Sequence, residues 1–148
     1  MAPPRSAIAA ELAANTAPAD RVFVFGSEPE VLFGARRVSA SRYIFLFPVF
    51  NTFRDVAERQ ASVIAEVESA RPAAIVWLPL QSFYGRGRPQ RLTEWTTAYI
   101  NEHYRLAAFV VADAAGRSTI ERVAPDAEGP AELGELEPWA MLFVRAPN

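Results

Sequence analysis

From Arg21 to Phe25 the chain reads RVFVF, apolar and β-branched or aromatic at every position after the arginine. No polar residue marks a solvent-facing side, so the segment is expected to be a strand covered on both faces of its sheet. A helix start follows at once. Ser27 and Glu30 have the S-x-x-E spacing of a capping box, and Pro29 falls in the first turn, where its missing N–H leaves no bond unmade. Gly34 is the expected end of that helix. A buried strand running straight into a helix is half of a crossover unit, and it directs the chain toward an α/β arrangement.

The alternation continues downstream. Arg42 to Phe47 is a second apolar run, reached after a turn at Val38 to Ser41 and stopped at Pro48. Thr52 to Ala70 has a helical stripe of Val56, Val63, Ile64 and Val67 and is closed by Pro72. Ala73 to Leu78 reads as a third buried strand, and Arg91 to Tyr104 as a third helix starting near Thr93. Leu106 to Ala112 and Ser118 to Val123 flank Asp113-Ala-Ala-Gly116, a hairpin signal, and Trp139 to Arg145 gives a last strand. Asp126 to Glu137, acidic and rich in Gly, Pro and Ala, is expected to be an exposed loop. Upstream, Ser6 to Ala14 suits a short helix capped by Ser6, with Ile8 and Leu12 on one face and Asn15 ending it before Pro18. The order predicts a three-layer Rossmann-like α/β sandwich, its early strands parallel and its C-terminal strands antiparallel. Residues 1–20 form the N-terminal helix and linker, and 21–148 a single α/β domain. No repeat of 20 to 50 residues is present.

Composition narrows the chemistry. With 148 residues, 51% of them apolar, one core can bury roughly 70% of the unfolded surface without staples. Cysteine is absent and His103 is the only histidine, which removes disulfides, thiolate catalysis, haem and ordinary zinc sites and leaves only a carboxylate site for Mg²⁺ or Ca²⁺. No cofactor is expected. All fifteen basic residues are arginine, so Schiff-base lysines and a P-loop lysine are excluded. A net charge of −2 provides no global field for nucleic acid, and no nucleic-acid partner is expected. The longest apolar runs, Tyr43 to Phe50 and Ala73 to Leu80, have eight residues, against roughly 20 for a membrane span. The N-terminus lacks the continuous apolar core of a signal peptide, so a secreted location would need an upstream segment.

Ligands of open α/β sheets sit beyond the carboxyl ends of the strands, which directs attention to Gly26 through Glu30. A dinucleotide fingerprint starting at Gly26 would need glycines at 28 and 31, where the chain has Glu28 and Val31, and carboxylates at a helix start repel phosphate. Glu28 and Glu30 suit acid/base work or hydrogen bonds to sugar hydroxyls, but the capping box accounts for Glu30 and the helix dipole for both, which makes a structural role the stronger reading. Arg36, Arg37 and Arg42 lie within seven residues, and their guanidinium forks fit carboxylate, phosphate or an internal salt bridge to Glu28 or Glu30. The loop Gly85-Arg-Gly-Arg-Pro-Gln-Arg91 follows the third strand, so Arg86 could wall the same cleft. His103, at a helix end, reads as structural, and Trp77, Trp95 and Trp139 as core. Ser27 lacks both glycines of a nucleophile elbow.

As a block, ANTAPADRVFVFGSEPEVLFGARRVSASRYIFLFP, from Ala14 to Pro48, resembles the segment after the last membrane helix of bacterial polyprenol-phosphate-sugar-dependent membrane glycosyltransferases, the group of the protein mannosyltransferases and aminoarabinose transferases. The matching residues are Asn15, Thr16, Pro18, Asp20, Arg21, Gly26, Glu28, Glu30, Arg37, Ser41, Arg42 and Tyr43, and the likeness fades after about Arg105. The family's catalytic carboxylate lies in the membrane domain, which this chain lacks. The resemblance therefore implies a noncatalytic C-terminal domain on the extracytoplasmic face of the bacterial inner membrane. Its partner would be a membrane glycosyltransferase domain, in the same polypeptide or a neighbouring subunit. A polyprenyl-phosphate sugar or an acceptor would meet a surface of Glu28, Glu30, Arg37, Arg42 and Arg86. The alternative is an independent small Rossmann-like enzyme acting on a small anionic or sugar substrate.

Overall fold

The structure is a computed structural model and describes residues 3–50, 54–78, 91–126 and 138–147. Its elements are α1 (Pro4–Ala14), β1 (Arg21–Phe25), α2 (Glu30–Ala35), β2 (Val38–Ser39), α3 (Phe47–Phe50), α4 (Val56–Ala70), β3 (Ala74–Trp77), α5 (Arg91–His103), β4 (Tyr104–Ala112), β5 (Ser118–Arg122) and β6 (Ala140–Arg145). The strands form one mixed sheet in the order β2-β1-β3-β6-β4-β5. β1 pairs in parallel with β2 and β3, whereas β6 is antiparallel to β3 and β4, and β4 to β5. Helices cover both faces, so the chain is a Rossmann-like α/β sandwich with the expected change from parallel to antiparallel pairing.

The pleat of β1 divides the core in two. Val22 and Val24 face α1 and α2 together with Ala74 and Val76 of β3 and Leu142 of β6. Phe23 and Phe25 face the other way, with Ile75, onto Val49 and Phe50 of α3, Val63 and Val67 of α4, and Leu92 and Ile100 of α5. Successive side chains of a strand point to opposite faces, which is why an unbroken apolar run was required here. The first helix lies in the core: Ile8 and Leu12 of α1 have no exposed surface. Near its middle, β4 shifts register against β6 between Leu106 and Ala108. The extra residue of such a bulge puts Ala107 and Ala108 into the same core layer.

Three local expectations are corrected. The capping box does not form: α2 begins at Glu30 with Pro29 in the N-cap position and no side-chain cap, so Ser27 stands three residues ahead of the helix. α1 starts at Pro4 with Pro3 as N-cap, two residues before Ser6, because proline's fixed φ suits a first helical turn. The second strand is not Arg42 to Phe47 but Val38–Ser39. α2 ends with Arg36 in the left-handed region at φ 55°, and the Arg37 N–H bonds Leu32 O at 3.1 Å. That sharp stop brings the chain directly beside β1, with Arg21 opposite Val38, Val22 opposite Ser39, and the Ala40 N–H bonded to Val22 O at 2.8 Å. The apolar run that follows bends instead, burying Leu46 and leaving Ile44, Phe45 and Phe47 partly in solvent, while Pro48 falls inside α3.

Elsewhere the boundaries move little. α4 is described from Val56, residues 52–53 lying outside the described residues, and it ends at Arg71 in the left-handed region just before Pro72. α5 is already helical at Arg91, ahead of Thr93. At the hairpin, Gly116 has φ 76°, and Asp113 Oδ1 accepts from the N–H groups of Ala115 and Arg117, both at 2.9 Å. The Asp126 to Glu137 loop falls almost wholly on residues 127–137, outside the described residues.

Candidate functional site

The crossover from β1 passes over one face of the sheet through α2, and β3 leads toward α5 on the other. In open α/β sheets ligands sit beyond the carboxyl ends of two such neighbouring strands, and here the space beside Gly26 is filled. A Cβ added at Gly26 would stand 2.7 to 2.8 Å from the Leu78 side chain, so the glycine makes room for that leucine. Arg86, the expected second wall, lies outside the described residues.

Glu28 and Glu30 both stand at this end, and their nearest cation comes from α1. The Arg5 guanidinium donates from Nε to Glu28 Oε2 and from its terminal nitrogen to Oε1, the latter at 3.2 Å. Its pKa is raised, first by the hydrogen bond to Glu28 and then by the charges of Glu28 and, more weakly, Glu30. Glu30 itself is exposed in the first turn of α2, where the helix dipole favours a carboxylate.

Arg37 is elsewhere. Its Nε donates to Thr16 Oγ1 at 2.9 Å, one terminal nitrogen to Ala35 O at 2.8 Å and Arg36 O at 3.3 Å, and the other to Ala13 O at 3.1 Å and Thr16 O at 2.9 Å. A guanidinium has five N–H donors, and all five are spent. They neutralise carbonyls at the C-terminal ends of α1 and α2, groups that a helix leaves without partners of its own. The Thr16 hydroxyl donates onward to Leu12 O at 2.7 Å, and Asn15 Nδ2 to Glu11 O at 2.8 Å. Ala13 is eight residues along α1 from Arg5, so Glu28 and Arg37 sit about 12 Å apart in axial rise, at opposite ends of that helix.

Arg42 belongs to the opposite face. Glu66 of α4 accepts from the Arg42 Nε through one oxygen and, through the other, from the Arg42 N–H and the Ser41 hydroxyl, both at 2.8 Å. Burial acts to raise the Glu66 carboxyl, but the Arg42 N–H, the Arg42 guanidinium and the Ser41 hydroxyl outweigh it and hold the pKa below the ordinary carboxylate range. Neither arginine pairs with Glu28 or Glu30. The four described residues of the expected surface are therefore distributed over three places rather than facing one another.

An open-sided cavity of about 340 Å³ lies instead between α4, α5 and the end of β6. Trp95 and Tyr99 line it as a stacked pair with ring centroids 4.7 Å apart, and His103 meets Tyr99 edge-on at 4.9 Å. The Trp95 N–H donates to Glu68 Oε1 at 3.3 Å. Arg71, Arg145, Ala98 and Glu102 complete the wall, and neither arginine forms an ion pair with a carboxylate among the described residues. Arg145 donates to the Tyr104 hydroxyl at 3.1 Å, which donates to Pro72 O at 2.7 Å. Burial first, then neighbouring Tyr99, pushes the Tyr104 phenol well above its ordinary range, so it stays a neutral donor. Two guanidinium groups beside an aromatic face can hold a small anion or a sugar ring. Sequence patterning read Trp95 as core, and the side chain is half-buried against the core layer of Phe23 and Leu92 while it also lines the cavity. Arg145 and Arg71 carried no motif.

Among the described residues no group of three metal-ligating side chains comes together, and no helix is long and apolar enough to cross a membrane. Compared with protein-family models, with curated proteins and with solved structures, the chain matches none.

Proposed function

We propose that this chain is a noncatalytic domain of a lipid-linked-sugar membrane glycosyltransferase, working on the extracytoplasmic face of the bacterial inner membrane. It acts beside the membrane domain, in one polypeptide or as a neighbouring subunit. The observation that carries this reading is the closed set of bonds at Arg37. Thr16 and Arg37, two residues through which the chain resembles that family, interlock at the ends of α1 and α2, and Asn15, a third, closes α1 on Glu11 O. Ser41 and Arg42, two more, are tied to α4 through Glu66. Residues engaged in this way build a rigid corner and support a scaffold that presents a surface, with any contact to a donor or acceptor made by Arg71 and Arg145, which pair with no carboxylate among the described residues.

The test is transfer of sugar from a polyprenyl-phosphate sugar by membranes carrying the partner glycosyltransferase, with and without this chain. Transfer that requires both the membrane protein and this chain supports the reading. Membranes that transfer at full rate without it overturn it.

The cavity favours a second reading, an independent small α/β enzyme on an anionic or sugar substrate. Quenching of Trp95 fluorescence by a glycosyl phosphate, lost in Arg145→Ala, is expected if the cavity holds such a ligand. Turnover of that ligand by the chain alone would select the second reading.

A further inference from the structure

The large hydrophobic side chains that stand in solvent are gathered in one stretch. Among the described residues, Phe33, Val38, Ile44, Phe45 and Phe47 are 72%, 61%, 40%, 45% and 39% exposed, and all fall within residues 33–47. That stretch is the outer border of the sheet: α2 leads into the edge strand β2, and the bend after it leads into α3. Phe45 and Phe47 stack with centroids 6.0 Å apart, one aromatic surface rather than two separate rings. Scattered exposed apolar residues are ordinary, but five large ones within fifteen residues along one border mark an interaction surface.

Charge identifies the partner. From Val31 to Arg54 there is no aspartate or glutamate, and four of the fifteen arginines, Arg36, Arg37, Arg42 and Arg54, lie there. The other eleven share the rest of the chain with all seventeen carboxylates. Among the described residues Arg42 is the one of these four that receives a carboxylate, Glu66, and Arg37 is spent on the carbonyls and hydroxyl of the helix ends. Arg36 and Arg54 are exposed. Exposed aromatic and aliphatic side chains bordered by arginines in an otherwise acidic chain match the interface of an anionic bilayer, where rings enter the acyl boundary and guanidinium groups meet headgroup phosphates.

We propose that the β2 border, residues 33–47, docks on the surface of a bilayer containing anionic lipid. The inference goes beyond the glycosyltransferase reading, because the patch belongs to the chain whichever polypeptide it works with. The 148-residue chain is expected to float with phosphatidylcholine vesicles that include phosphatidylglycerol, far less with phosphatidylcholine alone, and to be released by high salt. Combining Phe33→Ser with Phe45→Ser, or Arg36→Glu with Arg54→Glu, is expected to weaken partition roughly tenfold or more while thermal melting is unchanged. Since the chain has no cysteine, Phe45→Cys carries an environment-sensitive dye at one site, and its emission shifts to the blue on anionic vesicles while the same dye at Thr97→Cys on α5 does not. Equal response at both positions, or partition indifferent to phosphatidylglycerol, overturns the proposal. So does absence of vesicle binding with concentration-dependent dimerisation lost in Phe45→Ser, which would assign the patch to a second copy of the chain.

Discussion

Arg37 and Arg42 stand five residues apart and are treated in opposite ways. Arg37 sits where two helices end, and its fork meets a ring of carbonyls and one hydroxyl, so every donor is used and the side chain is half-buried. Arg42 sits on a bend, 71% exposed, holding one carboxylate across to α4. The first is part of the framework and the second anchors a border that still leaves its hydrophobic side chains in solvent. The difference shows that an arginine's role follows from the density of acceptors around it, since orphan helix carbonyls offer many in a small volume and a lone carboxylate offers two oxygens.

The contrast is open to direct attack. Arg37→Ala leaves the carbonyls of Ala13, Thr16 and Ala35 without this donor, and a loss of about 3 kcal/mol, or a melting temperature lower by roughly 10 °C, is expected by thermal unfolding. Arg37→Lys should recover only part of it, because three donors on one atom do not span the ring. A loss no greater than that of an ordinary surface arginine would break the comparison. Gly26→Ala tests whether the corner is as tightly built at its other end: the clash with Leu78 is expected to cost about 1 to 3 kcal/mol, and Leu78→Ala in the same chain should return part of the stability.

The smallest effect is expected at the border. Glu66 has its pKa lowered in the folded chain, so its contribution is fully present above the ordinary carboxylate range and is lost as pH falls through the folded value. Glu66→Gln should therefore melt a few degrees lower than the parent near neutral pH. The gap should close on acidification below about pH 4. A gap that persists in acid would show that packing, and not the Arg42 and Ser41 bonds, holds the border.

Periodicity was enough to read β1, β3, β4, β5 and β6, α4 and α5, and hence the change from parallel to antiparallel pairing, because a strand buried on both faces and a helix with one apolar stripe leave different patterns. It failed at Arg42 to Phe47. Apolar content there matched a core strand, but the left-handed stop at Arg36 placed Val38–Ser39 beside β1 first, and a two-residue strand carries no pattern. The capping box failed for a related reason: Pro29 and Glu30 start α2 without Ser27 as its cap. The expected binding surface joined residues close in sequence, whereas Glu28 turned to Arg5, Arg37 to the helix ends and Arg42 to Glu66.

The sequence by itself determined the class of fold, the absence of cysteine and lysine chemistry, and the concentration of arginine without carboxylate between Val31 and Arg54. Those follow from residue identity and short-range spacing. Only the tertiary structure decided which charges are spent and which hydrophobic side chains are left in water. Partners such as Glu66 for Arg42, or Glu11 of α1 for Arg122 of β5 at 3.0 Å, are separated by tens of residues and are chosen by how the helices pack across the sheet. RVFVF announced a covered strand, and packing assigned Val22 and Val24 to one layer and Phe23 and Phe25 to the other.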